Sequence, residues 1–129
     1  MPATNHFANK VLDHVMGKGD YTPPSPVYLG IFSTSISPLG IGTEIIGNGY
    51  TRIETGPVHW TTSDTGQMRN VVPFTFGPAT ADWGNVYALA LIGPGNNVLL
   101  WQKINTAPFR INEGQSLLVS ANEITLSLD

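Results

Sequence analysis

VVPFTFGPATADWGNVYALALI, residues 71–92, is the stretch whose reading decides the fold. Two apolar runs, 71–76 and 86–92, flank a linker that holds Gly77, Pro78, Asp82, Trp83 and Gly84. In the second run Val86, Ala88, Ala90 and Ile92 share one face, and Tyr87, Leu89 and Leu91 share the other. Apolar residues on both faces indicate a strand covered from two sides. Gly84 before it and Gly93-Pro94-Gly95 after it bound it at strand rather than helix length. The run is therefore expected as the central strand of a β-domain, with Trp83 as a large plug at one end of its core.

Outward toward the C-terminus, residues 93–97 (GPGNN) read as a hairpin loop and 98–104 (VLLWQKI) as the returning antiparallel strand. Short strands follow at 109–111, 116–120 and 124–128, separated by turns at 112–115 and 121–123. Outward toward the N-terminus, Pro73 gives the run 71–76 an edge or bulged position. Residues 63–66 (SDTG) form a polar turn, 50–55 (YTRIET) alternate as a half-exposed strand after the turn Gly47-Asn48-Gly49, and 58–60 continue or pair beside it. Residues 27–33 (VYLGIFS) are a strand, and 34–42 form an irregular Ser/Pro/Gly loop. The fold class expected is mainly β: an antiparallel β-sandwich or jelly roll of seven to eight short strands with one N-terminal α-helix.

That helix spans residues 5–16, where Phe7, Ala8, Val11, Leu12, Val15 and Met16 recur at helical spacing. Thr4 is placed to cap its start and Gly17 to end it in a left-handed conformation. Residues 18–26 (KGDYTPPSP) hold three prolines and form an extended connector. The chain thus divides into 1–26, helix and connector, and 27–129, the β-domain. The helix either covers an open end of that domain or docks on a neighbouring subunit. The residues expected at such an interface are Phe7, Val11, Leu12, Val15, Tyr21, Pro23 and Pro24.

Composition excludes several classes of function. A length of 129 residues suits one domain with an adequate core. With no cysteine, neither a disulfide framework nor a thiolate metal site is available. Net charge is −3 and charged residues are 12% of the chain, about half the average for soluble domains. That argues against a nucleic-acid footprint and suits packing against neighbours with little electrostatic cost. No apolar run approaches the ~20 residues of a membrane span. His6 and His14 lie about 12 Å apart along a helix, too far to share a metal. There is no G-x-S-x-G serine, and the carboxylates are scattered singly. The G-x-G at 47–49 precedes a strand, not the helix a phosphate loop needs. Trp60, Trp83 and Trp101 are read as buried or intersubunit packing in preference to a sugar-stacking platform. No catalytic, metal or cofactor-binding residue is expected, and no cofactor.

Five phrases in order carry a family resemblance: ANKVLDHVMGK (8–18), GTEIIGNGYTRIE (42–54), ATADWGNVYALALIG (79–93), LLWQKI (99–104) and EGQSLLVSANEITLSLD (113–129). Together they resemble small tailed-bacteriophage virion proteins of the tail-fibre-like or head decoration kind. The resemblance implies a β-rich, non-enzymatic particle component, made in the host cytoplasm and carried on the capsid exterior or the tail. One domain and a helix leave no room for a fibre shaft. A cement protein bridging neighbouring head subunits is therefore expected first, a tail-tip receptor-binding module second. Implied partners are copies of itself as a homotrimer around a threefold axis, the major capsid protein or other virion proteins, and a host surface glycan.

Overall fold

The computed structural model describes residues 2–104 and 109–128. One helix, α1 (Asn5–Val15), precedes ten strands: β1 (Val27–Phe32), β2 (Ile53–Thr55), β3 (Gln67–Arg69), β4 (Phe74–Phe76), β5 (Gly84–Asn85), β6 (Ala88–Gly93), β7 (Asn97–Lys103), β8 (Arg110–Ile111), β9 (Leu117–Val119) and β10 (Thr125–Ser127). All pairings among them are antiparallel. The mainly β class with one N-terminal helix is as the sequence predicts.

A four-stranded sheet in the order β2-β1-β6-β7 forms one layer. Every residue of β6 is buried, as the two-faced apolar run requires. Three two-stranded ribbons, β10-β3, β4-β9 and β5-β8, supply the opposing layer. The main core lies between: Leu29, Ile31, Leu89 and Leu91 from the sheet meet Phe74, Phe76, Leu117 and Val119 from the ribbons. This is a two-layer sandwich whose second layer is broken into pieces. On the sheet's other face Phe32, Ala88, Ala90, Ile92 and Val98 form a smaller core, covered by Ile36 from the loop at 34–42.

Several local expectations need correcting. Ten strands replace seven or eight because β3 and β5 are created by distant partners and have no apolar alternation of their own. The run 71–76 pairs only from Phe74, since Pro73 has no N–H to offer. Residues 50–52 are not strand: Gly47, Asn48 and Gly49 all take positive φ, and pairing begins at Ile53. Residues 57–59 form a 3-10 turn rather than a strand, and only Trp60 bridges onward, to Asn70. Val86 joins the main core with Leu89 and Leu91, so the expected face alternation holds only from Ala88 onward. Trp83 is the buried plug expected; its indole N–H donates to the Asn48 carbonyl at 2.8 Å.

The helix begins where the sheet ends. Ala3 bridges Leu100, and the Thr4 N–H donates to the Leu99 carbonyl at 3.0 Å, so residues 2–4 lie along the outer edge of β7. Thr4 is fully buried; its hydroxyl donates to the Val98 carbonyl and accepts from the Phe7 N–H, capping α1. The first turn is thus tied to the sheet, and Phe7 packs against the main core. The last turn is not. Leu12, Val15 and Met16 stand 62, 70 and 73% exposed.

Candidate functional site

The residues expected at an interface fall into three sets. Leu12 and Val15 face outward, and Val11 is half-buried beside them. Phe7 and Tyr21 meet edge to face at 6.0 Å, and the Tyr21 N–H donates to His14 Nδ1 at 3.1 Å, so the connector folds back along the helix. Pro23 and Pro24 line a small pocket with His6 and Tyr21 and also a larger groove shared with β2.

That groove, about 940 Å3, is more than twice the volume of three other concavities among the described residues, of about 340–390 Å3. One wall is the connector, with Pro23, Pro24 and Pro26; the other is β2 and the turn after it, with Glu54, Thr55 and Pro57. Trp60, Thr61, Thr62 and Ser63 also line it, with Met68 and Leu91 as further apolar members. Trp60 is held firmly. Its ring packs on Phe74 at 5.9 Å, and its indole N–H donates to Thr55 Oγ1 at 2.7 Å. Thr55 Oγ1 lies 3.2 Å from His59 Nδ1, which also accepts from the Gly56 N–H at 2.9 Å. Both contacts fit an Nδ1 without a proton. The Thr55 hydroxyl is buried and engaged, so it positions the indole and offers nothing to a ligand. Glu54, Thr62 and Ser63 make no side-chain hydrogen bond among the described residues. The groove therefore combines a rigid aromatic and proline surface with free acceptors and donors. That is binding chemistry, with no activated nucleophile in it.

Sequence reasoning singled out Pro23, Pro24 and Trp60 but did not join them. The available signal was proline just before β1, at 23–26, and just after β2, at Pro57, close to an aromatic residue.

A second polar cluster lies between β1 and the chain that leads into β2. The Arg52 guanidinium grips Glu44 with two bonds, Nε to Oε2 at 2.9 Å and Nη2 to Oε1 at 2.7 Å. Tyr50 donates its hydroxyl to Glu44 Oε2 at 2.6 Å and accepts the Ile31 N–H at 2.9 Å. Gly30 faces the cluster, and a Cβ there would sit 2.9 to 3.0 Å from Ile92, Glu44 and Tyr50. With no space left for a ligand, this cluster is structural. Burial pushes the Tyr50 hydroxyl well above the ordinary tyrosine range, and its bond to Glu44 adds to that; the Glu44 bond likewise raises Arg52.

An alkaline prediction follows. A tyrosine hydroxyl raised in the folded state contributes stability that is full below about pH 10 and lost as pH rises past that value. Urea midpoints should therefore fall between pH ~9 and ~11, and Tyr50→Phe should flatten that fall. An unchanged slope in the variant would assign the loss elsewhere. Among the described residues no group of His, Asp and Glu could hold a metal ion.

Comparison with known proteins adds a family. A family model described as "Podophage GP4 fiber I protein gp80" matches residues 2–127. None of the curated proteins matches the chain.

Proposed function

Since the chain belongs to the podophage GP4 fiber I protein (gp80) family, we propose that it is a non-enzymatic structural module of a podophage tail fibre, exposed to the host surface. The observation that carries this reading is a fibre-family match over nearly the whole chain. A tailed-phage virion protein is the class its sequence phrases resemble, and the family agrees. Between the two placements, the family description favours the fibre over the cement protein that length suggested. Length does not oppose the fibre reading, because a fibre can be assembled from several short chains and one chain need not hold both shaft and tip. No helix among the described residues is long and apolar enough to cross a membrane.

In this reading the two sides of the N-terminal segment have different work. The exposed Leu12, Val15 and Met16 of α1 would pack against other virion proteins or further copies of the chain, a trimer among the arrangements that close. Lys10, Asp13, Lys18 and Asp20 flank them with charges of both signs that cancel locally. The sandwich, with its groove, would face outward. Electron microscopy of particles labelled with an antibody to this protein should show label at the tail. Label over the head shell would overturn the fibre placement in favour of the decoration reading.

A further inference from the structure

We propose that the groove between the proline connector and β2 is a carbohydrate-binding site for neutral sugars, with Trp60 as the stacking surface and Glu54, Thr62 and Ser63 as the hydroxyl-reading groups. The proposal rests on the host-facing fibre reading for its biological setting; the chemistry stands on the groove itself.

A sugar ring presents an apolar C–H face and a periphery of hydroxyls. It needs a flat apolar surface and, beside it, polar atoms not already bonded. Trp60 supplies the surface. Phe74 backs the ring, and the bond from its indole N–H to Thr55 Oγ1 fixes its plane, so little motion is lost when a ligand arrives. Pro23, Pro24 and Pro57 extend the apolar wall with side chains that have almost no rotamer freedom to lose. Glu54, Thr62 and Ser63 supply the polar atoms, each without a side-chain partner among the described residues. A carboxylate can accept from two adjacent sugar hydroxyls at once, and such charge-assisted bonds are about twice as strong as neutral ones. At about 940 Å3 the groove lies near the top of the ~300–1,000 Å3 range of small-ligand pockets, enough for a short oligosaccharide.

Charge selects the sugar class. Glu54 is the charged residue of the lining, which holds no lysine or arginine, and the chain is net −3. Sialylated or phosphorylated sugars would meet an uncompensated negative charge. Neutral hexoses and their N-acetyl forms would not. The competing occupant is an extended peptide added to the outer edge of β2. That strand has only three residues, too short a ladder to hold a peptide by backbone bonds alone.

The test uses the full chain, 15N-labelled, titrated with neutral trisaccharides of glucose, galactose, mannose and N-acetylglucosamine. Sialyllactose and a proline-rich peptide serve as the contrasting arms. At least one neutral sugar should shift the Trp60 indole N–H saturably while leaving that of the buried Trp83 in place. Glu54→Gln and Thr62→Ala, at exposed positions without partners, should keep the spectrum of the folded protein, and Glu54→Gln should weaken binding roughly tenfold. The site is overturned if no neutral sugar moves Trp60, if sialyllactose binds as well as its neutral counterparts, if only the peptide moves Trp60, or if Glu54→Gln binds unchanged. Tail labelling with a silent groove would sink the site and spare the fibre reading. Head labelling with sugar shifts at Trp60 would do the reverse.

Discussion

Asn70→Ala is expected to cost about 3–5 kcal/mol, enough to leave much of a marginally stable domain unfolded. Asn70 is fully buried, and its side chain makes three bonds to backbone. Nδ2 donates to the Val72 carbonyl at 2.9 Å and to the Ser120 carbonyl at 3.0 Å, and Oδ1 accepts the Ile124 N–H at 2.9 Å. It thereby ties the chain between β3 and β4 to the turn between β9 and β10. Those ribbons are not bonded to one another as strands, so the Asn70 amide, with the backbone bonds from the Asn122 N–H to the Asn70 carbonyl and from the Asn70 N–H to the Ile124 carbonyl, makes the link that a ladder would otherwise supply. Truncation strands the buried Ile124 N–H at roughly 1–3 kcal/mol. It also removes one donor from each of the half-buried Val72 and Ser120 carbonyls at about 0.5–1.5 kcal/mol apiece, the second of which still accepts the Glu123 N–H. Asn70→Asp sharpens the test. A carboxylate still accepts from Ile124 but turns a second oxygen toward the Val72 and Ser120 carbonyls. Protonation would restore one donor, so the variant should gain stability on acidification, with its benefit lost as pH rises through the raised carboxyl pKa. Urea midpoints at pH ~4 and ~7 measure both effects. A cost under about 1 kcal/mol for the alanine variant would show that the tie is dispensable.

Glu44→Ala should cost about 2–4 kcal/mol. Removing one partner from a buried ion pair costs about 3–5 kcal/mol. Side-chain exposures of 29% for Arg52 and 17% for Glu44 moderate that figure here. The variant leaves the Arg52 guanidinium with only Asn96 Oδ1, at 2.8 Å, and deprives Tyr50 of its acceptor. Glu44→Met combined with Arg52→Met should cost clearly less than Glu44→Ala alone, because neither charge is then stranded. If the double variant is as damaged as the sum of its singles, the pair is not acting as a unit. Gly30 belongs to the same argument, since its missing Cβ is the space that Tyr50 and Glu44 fill.

Neither site was legible as such in the sequence, although much of the frame was. Ala88 to Ile92 announced a strand covered on both faces by its composition alone, and the loop Gly93-Pro94-Gly95 announced its hairpin. The helix was legible because its cap, period and terminal glycine agree over 11 residues. Those are local signals. Asn70 looks like a polar residue leading into a strand, and only the arrival of residues 120 and 124 gives it a role. Glu44 sits in a phrase that reads as turn and strand, and its pairing with Arg52 depends on three successive left-handed residues at 47–49 redirecting the chain. The groove depends on the connector folding back along α1 through Tyr21, a contact no periodicity predicts. A longer strand at 50–55 is not formed for the same reason: the alternation is real, but the left-handed run at 47–49 delays pairing until Ile53.

The segment at residues 2–4 has an effect beyond anchoring the helix. By occupying the outer backbone of β7, it leaves the four-stranded layer with one closed rim and one open one, at β2. Copies joining rim to rim could do so only open side to open side, related by a twofold, and such growth halts at a pair. Runaway polymerisation by edge pairing of this four-stranded layer is thereby blocked within each chain, so a larger array has to draw on other surfaces.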